Sequence, residues 1–498
     1  MYKKTYLLFL ICTIFLLSSC RTVNQENFNL RDEINLNKQY DKEAYSAIDL
    51  DANEDFHRLF NDSIEHEIII EISEREWKGL LQDLKEYSSK FQHELKNSKY
   101  RIAKLIYKDE YGTIEVDDIG FRTRGNTSRV YPQNDDGSFN MSHFKVKFDE
   151  TFHYGKETKQ YKALDERKVF DVEELNFKWN RNYDSTYISE LYSYELFHKV
   201  GIMSPESSLT KFSIKIGDDL TYFGIYTVFE PIDKDFLTKR LGKDHNDGNL
   251  YKCLWQQYGQ PLLTPDYPQA AIGIKDTSIN YRPTYDLKTN KDDANHRALR
   301  AFIRQINALD DAQFKIYIDD HFEVDSFLRF LALGVLIGNP DDYRGLGNNY
   351  YLYQKSNSKF EMIPYDYDHS LGQGWGGEPA FSNYTIDTDI YDFGEYNYSH
   401  PLSDRILNIT EYQEKYEEYL KMFTEYRNDI FTYDNFFDKY LQQYNLYSDD
   451  LPNDLNNAPK FDVRNSNWYF KEKIMNIKGQ LDYYGSHNEK RGDLLGRD

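Results

Sequence analysis

Asn339-Pro340-Asp341-Asp342-Tyr343-Arg344-Gly345-Leu346-Gly347-Asn348-Asn349 stands behind an almost continuously apolar run, Phe327 to Ile337, and ahead of a short β-pattern, Tyr350 to Tyr353. A polar turn, Lys355 to Lys359, separates that pattern from a second one, Phe360 to Pro364, which runs straight into Asp366-Tyr367-Asp368. The apolar run reads as a buried helix with Asp325 as its N-cap. If the two β-patterns pair as a hairpin, their outer ends lie one strand spacing apart, about 5 Å. Asp341, Asp342, Asn349, Asp366 and Asp368 then share one end of that hairpin. Carboxylates so crowded repel one another unless a cation sits among them. Oxygen donors on open loops suit Mg²⁺ or Mn²⁺ shared with substrate phosphates better than a closed Ca²⁺ cage.

Working outward toward the N-terminus, Tyr222 to Phe229 and Lys211 to Ile216 read as two strands of a hairpin joined by Gly217-Asp218-Asp219-Leu220. Before them, Ile188, Leu191, Leu196 and Val200 mark a helix stopped at Gly201. His143 to Phe148 alternates Phe144, Val146 and Phe148 with Lys145 and Lys147, so the two lysines share one face and compete for one role. Ile114, Val116, Phe121 and Thr123 read as strand residues leading to a polar loop, Arg124-Gly125-Asn126-Thr127-Ser128. Ile68, Ile70 and Ile72 form a strand, and Ser73 with Glu76 forms a capping box opening a helix that carries Trp77, Leu80, Leu81 and Leu84. Toward the C-terminus, Tyr412, Tyr416, Tyr419 and Leu420 recur at helical spacing. The fold class is α+β with a helical C-terminal part.

The chain has 498 residues, enough for one large domain or two to three ordinary ones. Its 83 acidic against 61 basic side chains leave a net charge of −22, which disfavours a binder that tracks nucleic-acid phosphates. With 44 Tyr and 32 Phe it is far too aromatic for a disordered chain. His143, His153, His198, His296, His321, His369 and His400 are scattered, and no His-Glu-x-x-His or cysteine pair suggests zinc. Neither a Gly-x-Ser-x-Gly elbow nor a P-loop is present.

At the N-terminus, Lys3 and Lys4 precede an apolar run, Tyr6 to Leu17, followed by Ser18-Ser19-Cys20. This is the pattern of an export signal, residues 1–20, too short to span a bilayer comfortably. Its Leu17-Ser18-Ser19-Cys20 ending resembles a bacterial lipobox, which makes Cys20 the lipidation site and places the protein in the cell envelope, lipid-anchored outside the cytoplasm. Residues 21–60 read as a polar tether. Folded structure is expected over 61–498.

Along the chain come a Gly- and Ser-bearing loop, a strand with Lys, a helix with acids, a hairpin, a buried helix, an Asp…Asn loop and a second Asp motif. That is the part order of a protein kinase, without its standard GxGxxG, His-Arg-Asp or Asp-Phe-Gly words. Phe121-Arg122-Thr123-Arg124-Gly125-Asn126-Thr127-Ser128-Arg129 resembles the R-x-R-G-N-[ST]-S motif of the CotH family, secretory atypical kinases. Tyr222-Phe223-Gly224-Ile225-Tyr226 with Glu230 and Asp233 resembles its G-x-Y…E-x-[IV]-D segment. Asp341-Asp342-Tyr343 through Asn349-Tyr350, then Pro364-Tyr365-Asp366-Tyr367-Asp368 and Leu371-Gly372, resemble its central block.

The resemblance implies a two-lobed, kinase-like fold with an N-lobe over about 61–235 and a C-lobe over about 236–498. It implies ATP and Mg²⁺ or Mn²⁺ as cofactors, with phosphoryl transfer to Ser, Thr or Tyr of an unknown protein. Asp342 would orient the attacking hydroxyl, with Asp341 the competing choice; Asn349 and Asp366 would hold metal, helped by Asp368. Arg124, Asn126 and Ser128 would cover phosphates, and Lys145 or Lys147 would pair a phosphate oxygen, held by Glu195 or Glu230. The family pattern also calls for a basic residue early in the Ser185 helix, where Ser189-Glu190 stands. Two rival functions are a non-catalytic surface-binding lipoprotein, such as an adhesin or glycan-associated protein, and an AMP transferase on the same fold.

Overall fold

Alternating apolar residues build most of a closed sheet near the start of the chain. The computed structural model describes residues 48–356, 359–373, 386–392, 398–450, 455 and 462–486. The leader, Cys20 and most of the tether lie outside these residues. A short helix α1 (Glu54–Leu59) precedes strand β1 (Glu67–Ile72), helix α2 (Glu74–Lys90), β2 (Arg101–Asp109), β3 (Gly112–Arg124) and β4 (His143–Lys147). Then come α3 (Lys159–Leu164), β5 (Glu174–Trp179), α4 (Ser189–Lys199), β6 (Ser207–Ile216) and β7 (Asp219–Phe229). The strands close into a barrel in the order β1-β2-β3-β4-β5-β7-β6, and a parallel β1–β6 pairing makes the seam.

The closure follows from the period-two pattern. Ile68, Ile70, Phe121, Phe144, Val146, Phe177 and Phe212 turn into the barrel and join one core. Lys145 and Lys147 turn outward, as their alternation with Phe144 and Val146 requires. Ser73 caps α2 by accepting from the Glu76 N–H at 3.2 Å, and Trp77, Leu80 and Leu84 pack against the barrel core. The structure runs Gly112 to Arg124 as one strand, and it adds β2 and β5, which local sequence did not mark.

Beyond α5 (Lys234–Leu241), strands β8 (Asn249–Cys253), β9 (Ile272–Gly273) and β10 (Tyr285–Leu287) lead into helices α6 (Arg297–Ala308), α7 (Asp311–His321) and α8 (Val324–Ile337). The expected hairpin is β11 (Tyr350–Gln354) and β12 (Phe360–Pro364), with Tyr350 opposite Pro364. It joins a second sheet in the order β12-β11-β8-β10-β9. Helices α9 (Pro401–Leu407), α10 (Thr410–Thr424), α11 (Tyr433–Tyr447) and α12 (Arg464–Ser486) follow.

The apolar run is α8, buried from Phe327 to Ile337, with Phe330 stacked on Phe197 of α4 at 5.7 Å. It starts one residue before Asp325, so Asp325 lies in the first turn, bonding Arg329 at 3.2 Å and the Tyr419 hydroxyl at 2.6 Å, and does not serve as the N-cap. Mixed helices and sheets confirm the α+β class. The C-terminal end of α8 and the hairpin set the Asp-rich segments against Lys178 of β5 and Arg124 at the end of β3.

Candidate active site

Helix α8 ends at Gly338, whose φ of 68° turns the chain out into the acidic loop. Asn339 then organises that loop from within: it accepts from the Asp341 N–H at 3.1 Å and donates to the Asp366 carbonyl at 3.2 Å. Asn348 donates to the Asp341 carboxylate at 2.9 Å and accepts from the Trp255 N–H at 2.7 Å. Asn349 donates to the Asp341 carbonyl at 2.9 Å. The hairpin therefore does bring the Asp341 loop and the Asp366 segment together. Asn349 and Asp366 both hold left-handed backbone, φ 52° and 61°, a conformation that Asn and Asp tolerate better than most residues.

The two acids of the dyad have different surroundings. Asp342 is 2% exposed, accepts from the Gly345 N–H at 2.8 Å, and is pushed up to about 7 by burial. Gly345 is required there, because a Cβ would lie 2.1 Å from the Pro340 carbonyl oxygen. Asp341 is half-buried, and burial with the neighbouring charges of Asp366 and Asp368 pushes it up to about 6. It is Asp341 whose charge is coupled to the acids of the hairpin mouth.

Those acids meet a third from another element. Single carboxylate oxygens of Glu190, Asp366 and Asp368 all lie within 4.8 Å of one another. Glu190 comes from the first turn of α4, and Lys178, on the outer face of β5, reaches into the group. The Lys178 ammonium lies 2.8 Å from Glu190 and 2.9 Å from Asp368, and it also pairs with Asp366. Burial opposes its charge, but Asp366, Asp368 and Glu190 hold the lysine well above its ordinary value. Burial likewise opposes charge on Asp366, yet Lys178, Arg124 and Lys252 hold it well below the usual carboxylate range. Glu190 is pushed up to about 7 by burial and by the two aspartates, against the pull of Lys178. Three clustered carboxylates with one ammonium have the all-oxygen chemistry that a hard divalent cation requires, and Glu190, Asp366 and Asp368 are the residues placed to hold one.

The remaining sequence expectations separate. Arg124 donates to the Tyr365 hydroxyl at 3.0 Å, which puts it next to Asp366. Asn126 accepts from Lys96 at 2.8 Å, and Ser128 folds back over Gly125, where a Cβ would lie 2.8 Å from its hydroxyl. Lys145 pairs with Glu174 of β5, and Lys147 lies 3.5 Å from Asp149 and 3.6 Å from Glu150, so neither lysine joins the acidic group. Nor does either expected glutamate hold them. Glu195 lies 2.9 Å from Lys439, and Glu230 is buried against Arg240 at 2.7 Å. The strand lysine that does reach the acidic group is Lys178, paired with Glu190, which stands early in the helix where the family pattern called for a basic residue. Alternation around Leu175 and Phe177 was the available signal for β5 and its outward lysine.

A family model described as CotH kinase protein matches residues 121–495. Inner spore coat protein H of Bacillus subtilis (strain 168) is 27% identical over 230 residues, 46% of this chain and 56% of that protein. The chain thus spans little more than half the length of this relative.

Proposed function

Because the chain belongs to the CotH kinase protein family, we propose that it is an atypical kinase that transfers the γ-phosphoryl group of ATP to a Ser, Thr or Tyr hydroxyl of a protein. The observation that carries this reading is the group Lys178, Glu190, Asp366 and Asp368 set beside Asp341. A strand lysine paired with a glutamate on the following helix, facing a metal-binding aspartate, is the arrangement kinases use to hold a triphosphate. This pairing, with the barrel on one side and the helical part on the other, also supports a two-lobed kinase-like architecture.

In this reading Asp366 and Asp368, grouped with Glu190, would hold Mg²⁺ or Mn²⁺, and Asn349 would serve from the neighbouring loop. When bound, the metal neutralises charge on the phosphates. Lys178 exchanges part of its contact with the aspartates for a phosphate oxygen while Glu190 keeps it oriented. Arg124 reaches the phosphates from the barrel side. Asp341 takes the place first given to Asp342: it accepts the proton as the acceptor oxygen attacks the γ-phosphorus and the bond to the β-phosphate oxygen breaks, releasing ADP. Asn348 and Asn349 position Asp341 through its carboxylate and its carbonyl. Asp342 keeps the loop closed. Most of the rate gain comes from positioning and charge neutralisation, since the reaction asks little covalent chemistry of the protein.

That relative is a spore coat protein, which supports a place at a cell or spore surface for this chain, and a lipid on Cys20 would supply the anchor. No helix among the described residues is long and apolar enough to cross a membrane.

The test is incorporation of label from ATP into a generic protein acceptor with Mn²⁺, using γ-label and α-label in parallel. Label from the γ position alone is expected, and Asp366→Asn and Asp341→Asn should each cost about 10² to 10⁴ in rate. Incorporation that survives both substitutions would refute the assignment; α-label in the product would replace phosphoryl transfer by nucleotidyl transfer.

A further inference from the structure

Next to the β11–β12 hairpin in the same sheet stands Lys252 of β8, which the mechanism above leaves unused. Its register neighbours are Tyr351 of β11 on one side and Asp286 of β10 on the other. The ammonium lies 3.9 Å from the centre of the Tyr365 ring and 5.6 Å from that of Tyr351. From the barrel wall, Arg124 donates to the hydroxyl of the same Tyr365 at 3.0 Å. One phenol thus spaces a guanidinium and an ammonium that arrive from two different sheets, and the next residue along the chain is Asp366.

The nearby carboxylates are paired elsewhere. Asp286 is engaged by Lys288 at 3.1 Å, and Asp366 by Lys178. No ion pair joins Arg124 or Lys252 to an acid among the described residues. Burial, together with Arg124 and Lys288, pulls the Lys252 ammonium down to about 7, and the charges of Asp366 and Asp286 offset this only in part. In a chain of net charge −22, two cations that meet at one phenol, neither in a direct ion pair with an acid among the described residues, mark a place suited to an anion.

The class of anion follows from what lies alongside. A single carboxylate would satisfy one cation and leave the other bare, and it would offer nothing to a metal on the acidic group. A chain of phosphates has oxygens enough for the metal, for the Arg124 fork and for Lys252 at once. We propose that Lys252 is a phosphate-binding residue, closing with Arg124 a two-walled clamp on the polyphosphate chain of the nucleotide; this assignment rests on the nucleotide reading given above. Tyr365 sets the width of the clamp and holds the Lys252 ammonium against its ring.

The test compares binding of ATP and of inorganic tripolyphosphate, each with Mn²⁺, by calorimetry on the full chain, on Lys252→Met, on Lys252→Arg and on Asp366→Asn. Lys252→Met should weaken both ligands by about tenfold or more, as loss of a charged hydrogen bond does, while Lys252→Arg retains most of the affinity. The parallel loss for tripolyphosphate places the contact on the phosphates. If Lys252→Met binds both ligands as the unsubstituted protein does while Asp366→Asn loses Mn²⁺-dependent binding, the clamp is wrong and the nucleotide site stands. A loss confined to ATP also overturns the clamp, because the lysine would then touch the nucleoside. If the unsubstituted protein binds neither ligand, the clamp and the nucleotide reading fall together. Should Lys252→Met not fold, as judged by its melting curve, the comparison of Lys252→Arg with Lys252→Gln reads the same contrast.

Discussion

Asp341 and Asp342 are adjacent in the chain and opposite in circumstance. Asp342 has its carboxylate inside the loop, held by the Gly345 N–H and raised by burial to about 7, so the folded protein binds its proton more tightly than the unfolded chain does. Its presence therefore weakens folding as pH rises from the ordinary carboxylate range toward about 7. Asp342→Asn keeps an oxygen for Gly345 and removes that slope. Chemical denaturation from pH 4 to 8 should show the variant gaining on the order of 1–3 kcal/mol relative to the unsubstituted protein at the upper end, with transfer activity reduced far less than by Asp341→Asn. A variant that lost activity as completely as Asp341→Asn would return the catalytic role to Asp342. The residue types at the hairpin mouth were legible because strand spacing alone carries Asp341 and Asn349 to Asp366. Lys178 was not: its acids lie 12 and 188 positions away, and nothing local separates it from Lys145 and Lys147.

At the scale of elements, α4 does two jobs with two of its glutamates. Glu190 in its first turn faces the acids of the hairpin, while Glu195 reaches Lys439 of α11. The start of α4 is fixed by Asp184, which accepts from the N–H groups of Thr186 at 2.8 Å and Ser189 at 2.9 Å, so Glu190 is delivered at a set height. Lys178 is then the internal counter-ion of three carboxylates. Lys178→Met should cost about 1–3 kcal/mol because it strands partly buried charge, and Mn²⁺ should raise its melting temperature more than it raises that of the unsubstituted protein. Glu190→Gln should retain the fold but lower transfer, since the lysine keeps its aspartates and loses its orientation. A melting temperature of Lys178→Met that ignores Mn²⁺ would show that these acids do not take a cation. The periodicity of α2 and β4 was readable because each buries one face, and α8 and the β11–β12 hairpin were readable because their apolar runs are buried on all sides. Strands β8 and β10 were not, since five and three residues carry too little alternation to stand out.

At the scale of the molecule, the acids, the lysines and the hairpin are useful only because a closed barrel gives them a stiff wall to face. That wall is completed late and from far away: β6 finds its second partner in β1, a strand from the beginning of the folded part, where Ile68 aligns with Phe212 and Ile70 with Ile214. The shared family region starts at residue 121, inside β3 and after both β1 and β2. A fragment cut at that boundary would leave β6 with an open row of backbone donors and acceptors and would drop most of β3. Size-exclusion chromatography should show 121–498 as high-mass aggregate and 48–498 as a discrete species. The stave that makes the cask watertight is thus supplied by sequence that the family's signature does not cover, and anyone trimming this protein to its recognisable part would be handling loose planks.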